Sequence, residues 1–121
     1  MKYLFFDIEC ADGGKATICS FGYVIADMDF KIIKREDIIM NPEGHFFLTG
    51  RAGRPDVTLA YPKETFFRSP KFPKFHSKLK ALLENEEYYI IGHSIGDDVN
   101  YLNKACARYG LEPFNFSYFD T

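Results

Sequence analysis

The order of apolar runs and helical repeats restricts the folds open to this chain more than any other feature. Three runs rich in β-branched and aromatic residues, at 2–8, 17–26 and 30–40, follow one another across short turns. Such runs predict strands, and the short turns between them predict an antiparallel meander. The first run is apolar until its charged end, which is typical of a buried strand.

Helical periodicity alternates with short apolar runs in the second half of the chain. Apolar residues spaced three and four apart predict one helix over 70–85 and a second helix that Ser94 or Asp97 can cap. Short strands are expected at 88–92 and 114–119. The order β-β-β-α-β-α-β predicts an α/β sheet in which the last two strands run parallel to the first.

Length and composition agree with one compact domain over residues 1–121. The chain is 46% hydrophobic and 26% charged, so it has enough apolar surface to form a core and is not intrinsically disordered. No apolar stretch approaches the roughly 20 residues of a membrane span. The three cysteines form no CxxC pair, which is typical of reduced thiols in a cytoplasmic protein.

Charge is unevenly distributed, although the net charge is only −2. Residues 51–80 contain 8 basic and 2 acidic side chains, whereas the segments on both sides are acidic. A basic middle between acidic ends can bind a polyanion beside a cation-binding carboxylate site. A solvated basic helix and loop is the alternative. The segment 41–67 lacks clean periodicity and is predicted to be a long loop.

Two carboxylates, Asp7 and Glu9, stand at the end of the first apolar strand. A strand has a period of two, so both side chains point to the same face. Two such acids repel each other and lose hydration unless a cation lies between them. Hard divalent ions such as Mg²⁺ or Mn²⁺ prefer oxygen ligands of this kind. A strand end with both side chains in water is the alternative interpretation.

A second acidic pair, Asp97 and Asp98, stands where the 88–92 strand gives way to the second helix. The helix dipole favours acids in the first turn of a helix, so this pair is also compatible with a purely structural role. His93 precedes the pair at the end of the strand, where a hydrogen-bonded structural histidine is more common than a catalytic base.

Taken together, these motifs resemble those of the DEDD family of 3′–5′ exonucleases, the proofreading exonucleases with an RNase H-like fold. Phe6-Asp7-Ile8-Glu9 is similar to the first family motif, and the segment 92–102 is similar to the second, His-Asn-x-x-Phe-Asp-x-x-Phe-Leu. The register of the second motif selects Asp98 rather than Asp97. Phe119-Asp120-Thr121 looks like the Asp-Thr that closes the fifth strand in the family.

The resemblance implies an RNase H-like five-stranded mixed sheet in the order 3-2-1-4-5, with helices. It also implies hydrolysis of DNA or RNA phosphodiester bonds by two divalent ions, Mg²⁺ or Mn²⁺. Asp7 would bridge the ions, Glu9 would bind the ion that holds the attacking water, and Asp98 would support the second ion. These three acids are the expected catalytic and metal-binding residues.

The expected partner is single-stranded or 3′-ended nucleic acid, and no membrane. Phosphate groups are expected to contact basic side chains of the middle segment. These side chains are Arg51, Arg54, Arg68, Lys71 and Lys74.

Departures from the family pattern modify these expectations. Ser94 and Asp97 replace the usual Asn and Phe of the second motif, and no third motif with its fourth carboxylate and water-activating residue follows. The chain is therefore expected to be a C-terminally truncated domain of feeble activity that lacks the last helix. The alternative is a non-catalytic nucleic-acid-binding or assembly module. Without that helix one sheet face is uncovered, which predicts a homodimer through this face.

Overall fold

The computed structural model describes residues 1–12, 14–44, 46 and 61–121. The strands are β1 (Lys2–Cys10), β2 (Ile18–Ala26), β3 (Ile32–Ile39), β4 (Tyr88–Gly92) and β5 (Phe119–Asp120). The helices are α1 (Lys63–Phe67), α2 (Phe72–Leu83) and α3 (Ile95–Tyr109). The strands form one five-stranded sheet in the order β3-β2-β1-β4-β5, which confirms the expected α/β class and strand order.

The central strand β1 determines the directions of the other strands. It pairs with β2 in the antiparallel direction and with β4 in the parallel direction. β3 pairs with β2 in the antiparallel direction, and β5 pairs with β4 in the parallel direction. The antiparallel meander and the parallel last strands are therefore both confirmed. Because β1, β3, β4 and β5 all run the same way, their carboxyl ends lie at one edge of the sheet, called the carboxyl edge below.

Helices α2 and α3 cover one face of the sheet, and the hydrophobic core lies between them and the strands. Fully burying a large apolar side chain contributes about 1.5–3 kcal/mol, so this interface is the main source of stability. Among the described residues, no helix combines the length and the apolar character needed to cross a bilayer. The core contains Leu4, Phe6, Ile8, Phe21, Phe72, Leu79, Leu83, Ile95, Leu102 and Cys106.

The opposite face, called the open face, receives the alternate side chains of β1 from Tyr3 to Glu9. An aromatic row crosses it: Phe30 stacks on Tyr3 at 4.6 Å between ring centroids, Tyr3 lies 5.9 Å from Tyr89, and Tyr89 lies 6.3 Å from Phe119. Phe30 and Phe119 are 64% and 60% exposed. This row agrees with the expected uncovered apolar side chains, and two-fold association through it stays a prediction.

Two elements differ from the sequence-based prediction. The last strand is only Phe119–Asp120, because Phe114 is buried in the core beside α2, with its ring 5.1 Å from that of His76. The short helix Lys63–Phe67 occupies the end of the segment that was expected to be a loop. The ring of Phe66, which this helix carries, is fully buried and anchors the helix to the rest of the domain.

Candidate functional site

Asp7 and Glu9 lie where β1 extends past its partner. The parallel register of β1 and β4 ends at Phe5↔Ile91, and β1 continues to Cys10. Asp7 and Glu9 belong to this extension, at the carboxyl edge, and both are exposed on the open face. Ligands of α/β sheets commonly bind outside the carboxyl ends of the strands.

Asp98 approaches the same extension from the first turn of α3. It is only 6% exposed, whereas its neighbour Asp97 is exposed. The two acids therefore differ in orientation as the motif register implies. The backbone of Ile8 acts on the Asp98 carboxylate as a hydrogen-bond partner that lowers its pKa. Asp98 therefore lies near β1, one residue beyond Asp7.

The charges of the three acids act on one another. Burial, followed by the negative charges of Asp7 and Asp97, raises the pKa of Asp98 to about 7, while the bond from Ile8 lowers it in part. Burial, followed by the charges of Asp7 and Asp37, raises the pKa of Glu9. Asp7 is thus the acid whose charge acts on both other predicted site residues. That the three acids form one catalytic and metal-binding site stays a prediction.

The donor chemistry of this cluster suits a hard divalent cation. All its ligand atoms are carboxylate oxygens, and a nearby cation would offset the like charges that, after burial, raise the pKa of Asp98 and Glu9. Within the described ranges, no three acidic, histidine or cysteine side chains lie close enough to hold one ion. Hard divalent ions are also held by one or two carboxylates together with water and substrate phosphate, so the donor chemistry of Asp7 and Asp98 is compatible with a divalent ion.

Hydrogen bonds from β5 fix the turn that orients Asp98. Asp120 Oδ1 accepts a hydrogen bond of 3.0 Å from the Ser94 N–H, and the Thr121 N–H donates one of 3.0 Å to the Gly92 carbonyl. Ser94 has a left-handed backbone with φ of 53°, which is unfavourable for a serine unless its surroundings hold it. A Cβ on Gly92 would lie 3.1 Å from Ile95, so a larger residue would require Ile95 to shift by a few tenths of an ångström.

The basic residues expected to bind phosphate have different surroundings. Arg51 and Arg54 lie outside the described residues. Lys71 forms an ion pair with Glu43 at 2.7 Å, so its charge is already partly neutralised.

Arg68 and Lys74 lie close to the start of α2. Arg68 caps the end of α1, Lys74 lies in the first turn of α2, and neither forms an ion pair with another described residue. A bridge between Asn41 and Lys71 places this region beside the end of β3, at the carboxyl edge. Their role in phosphate binding stays a prediction.

Asp37 is a further carboxylate near the site that the sequence analysis did not single out. It accepts a hydrogen bond of 2.8 Å from Ser20 Oγ and another from the Tyr61 hydroxyl. The register Asp7↔Gly22↔Asp37 places it in one row with Asp7 across three strands. The sequence places Asp37 in the third strand of the meander. Only the pairing register between the strands shows that it lies in one row with Asp7.

Comparison with solved structures identifies the fold. The chain shares its fold with exonuclease I. A product-bound exonuclease I structure superposes with a TM-score of 0.70 at 15% identity, over 98% of this chain and 29% of that chain. The E. coli exonuclease I complex with a dA16 oligonucleotide superposes with a TM-score of 0.68 at 16% identity. The match covers 98% of this chain and 28% of that chain. A complex described as ExoI/SSB-Ct superposes with a TM-score of 0.70 at 16% identity, over 98% of this chain and 28% of that chain.

This chain thus spans less than a third of the length of these exonuclease I structures. No protein-family profile matches the sequence, and no curated protein is significantly similar to it. At this identity, the likeness establishes the RNase H-like arrangement of strands and helices.

Substitution of Asp98 by Asn is expected to stabilise the metal-free protein. Because the pKa of Asp98 is about 7 in the folded chain and 3.8 ordinarily, its ionisation is less favourable in the folded state. The free energy of unfolding should therefore fall as pH rises from 3.8 to about 7. Asp98→Asn should lose this pH dependence, and above pH 7 its free energy of unfolding should exceed that of wild type by on the order of 1–3 kcal/mol. Urea unfolding in chelator measures both effects.

The matched control is Asp97→Asn, which removes the same charge from the exposed neighbour and should keep most of the pH dependence. If the free energy of unfolding changed with pH in the same way in wild type and Asp98→Asn, ionisation of Asp98 would not destabilise the fold.

Substitution of Asp120 by Ala is expected to loosen the turn before α3. The Ser94 N–H would lose its acceptor, and such a bond contributes about 0.5–1.5 kcal/mol, so its amide exchange should accelerate several-fold. Asp120→Asn retains an acceptor oxygen and should exchange like wild type. Hydrogen exchange by NMR gives the answer, and equal rates in all three proteins would contradict the role of Asp120.

Proposed function

We propose that this chain acts on single-stranded nucleic acid as a 3′–5′ exonuclease that hydrolyses phosphodiester bonds with two bound Mg²⁺ or Mn²⁺ ions. The observation that carries the proposal is the buried Asp98, whose pKa is raised by burial and then by the charge of Asp7 at the carboxyl edge. Carboxylates whose pKa is perturbed by burial and a neighbouring charge are candidates for a functional site. The fold shared with exonuclease I, which is described in complexes with dA16 and dT13 oligonucleotides, supports the same substrate class.

Each acid has a distinct part in the proposal. Asp7 and Asp98 would hold one cation jointly, and Glu9, exposed two residues along β1, would hold a second together with Asp7. The bound ions would supply a nucleophilic water and stabilise the leaving 3′ oxygen. Asp98 is buried at this edge.

Proton release accompanies cation binding in this scheme. Carboxylates bind metal ions in their ionised form, and the pKa of both Glu9 and Asp98 is raised. Affinity for the cation should therefore increase as pH rises to about 7 and stay constant above it.

A non-catalytic nucleic-acid-binding module is the second candidate. The observation that favours it is the absence, among the residues that the structure describes, of three ligating side chains around one point. The two candidates differ in whether bound nucleic acid is cleaved.

Substitution of Asp7 by Asn is expected to abolish cleavage. With Mn²⁺ present, wild type should slowly shorten a 5′-labelled single-stranded oligonucleotide from its 3′ end. General acid–base help is worth about 10²–10⁴ in rate, and none of the three proposed site acids is assigned that role, so the rate should be low. Asp7→Asn should lower the rate more than about 100-fold, because losing even a partner of a metal ligand typically costs 10–100-fold.

The control is Asp29→Asn, which removes the same charge from the exposed β2–β3 turn at the opposite edge of the sheet. Binding of the oligonucleotide without shortening would favour the non-catalytic module. Cleavage that survives Asp7→Asn would rule out the proposed site.

A further inference from the structure

A depression lies on the open face directly beside Asp7. Two rows cross the meander there: Asp7↔Gly22↔Asp37 and Phe5↔Val24↔Arg35. Strand alternation directs these side chains away from α2 and α3. Because Gly22 has no side chain, the middle of the first row is empty, and a cavity of about 350 Å³ opens over it. This cavity is called the Gly22 pocket below.

The lining of the Gly22 pocket combines an apolar floor with charged ends. Phe5 and Val24 are half-buried and present ring and methyl surface to the pocket. Arg35 is exposed at one side and forms no ion pair with any described residue. Asp37 Oδ1 accepts a hydrogen bond from Ser20 Oγ, so one of its two oxygens already has a partner.

We propose that the Gly22 pocket binds the terminal nucleoside of the strand whose phosphodiester bond lies at Asp7. This inference rests on the proposed function and specifies where its substrate is held. A volume of 350 Å³ falls at the lower end of the roughly 300–1,000 Å³ typical of small-molecule sites. A nucleobase has two flat apolar faces, and the Phe5 ring is a surface on which any base can stack.

The pocket also contains a group suited to the charge of a nucleotide. A guanidinium binds phosphate oxygens through two parallel N–H donors, and Arg35 is available for this contact. Asp7 stands at the other end of the pocket, where a cation would lie. In the proposed pose the cation holds the phosphate at the Asp7 end, the base lies over Gly22, and the Arg35 guanidinium reaches the phosphate from the side of Val24.

Gly22 allows a direct test, because a side chain fits there without disturbing the fold. A Cβ on Gly22 would meet only the Asp37 carboxylate, at 3.6 Å, which is an ordinary contact. Alanine should therefore be tolerated, and valine, a favourable residue in strands, should fill the pocket. The melting temperatures of Gly22→Ala and Gly22→Val confirm that both variants fold.

The experiment measures binding of thymidine 5′-monophosphate and of 2-deoxyribose 5-phosphate by calorimetry in the presence of Mn²⁺. Wild type should bind the nucleotide at least tenfold more tightly than the sugar phosphate. Gly22→Val should remove this preference, and Gly22→Ala should reduce it, while the affinity for Mn²⁺ alone stays unchanged. Arg35→Ala should weaken both ligands by a similar factor. Lys34→Ala, which removes the same charge from the adjacent β3 position, is the control and should leave both affinities as in wild type.

The outcomes separate this inference from the function on which it rests. If wild type binds Mn²⁺ and cleaves DNA but Gly22→Val keeps the preference for the nucleotide, the pocket assignment is wrong and the proposed function stands. Equal affinity of wild type for nucleotide and sugar phosphate also overturns the assignment. Failure of wild type to bind Mn²⁺ overturns the proposed function and the assignment with it.

Discussion

The burial of Asp98 close to the charge of Asp7 is the constraint on which the carboxyl edge depends. A buried carboxylate near a like charge destabilises the fold, so other features are needed to hold it there. The Asp120 carboxylate accepts a hydrogen bond from the Ser94 N–H and so fixes the turn before α3. The proposed divalent cation would explain why a chain keeps this arrangement.

The strand order and the helix pattern could be predicted because they follow from local periodicity and from the short connections between elements. The choice of Asp98 over Asp97 also came from the sequence, and the burial of Asp98 agrees with it. The end of the chain was harder to predict. The segment before β5 is as apolar as a strand, but Phe114 packs on α2 instead, a long-range contact that no local pattern contains.

The candidate site was only partly predictable for a related reason. Asp7 and Glu9 share a strand, so their common face follows from the period of two. Asp37, Arg35 and Gly22 reach the same surface through the pairing of three strands, and this register is fixed by turns and bulges rather than by residue type. Lys71 shows another limit, since its basic character predicted phosphate binding but the sequence did not indicate its ion pair with Glu43.

The central claim is that Asp98 ionises against the charge of Asp7, and an NMR titration of the Asp98 carboxyl group in metal-free protein tests it most directly. Wild type should titrate with a pKa of about 7, and Asp7→Asn should bring that pKa closer to the ordinary 3.8. An Asp98 that titrates near 3.8 in wild type, or one whose pKa does not respond to Asp7→Asn, would contradict the account.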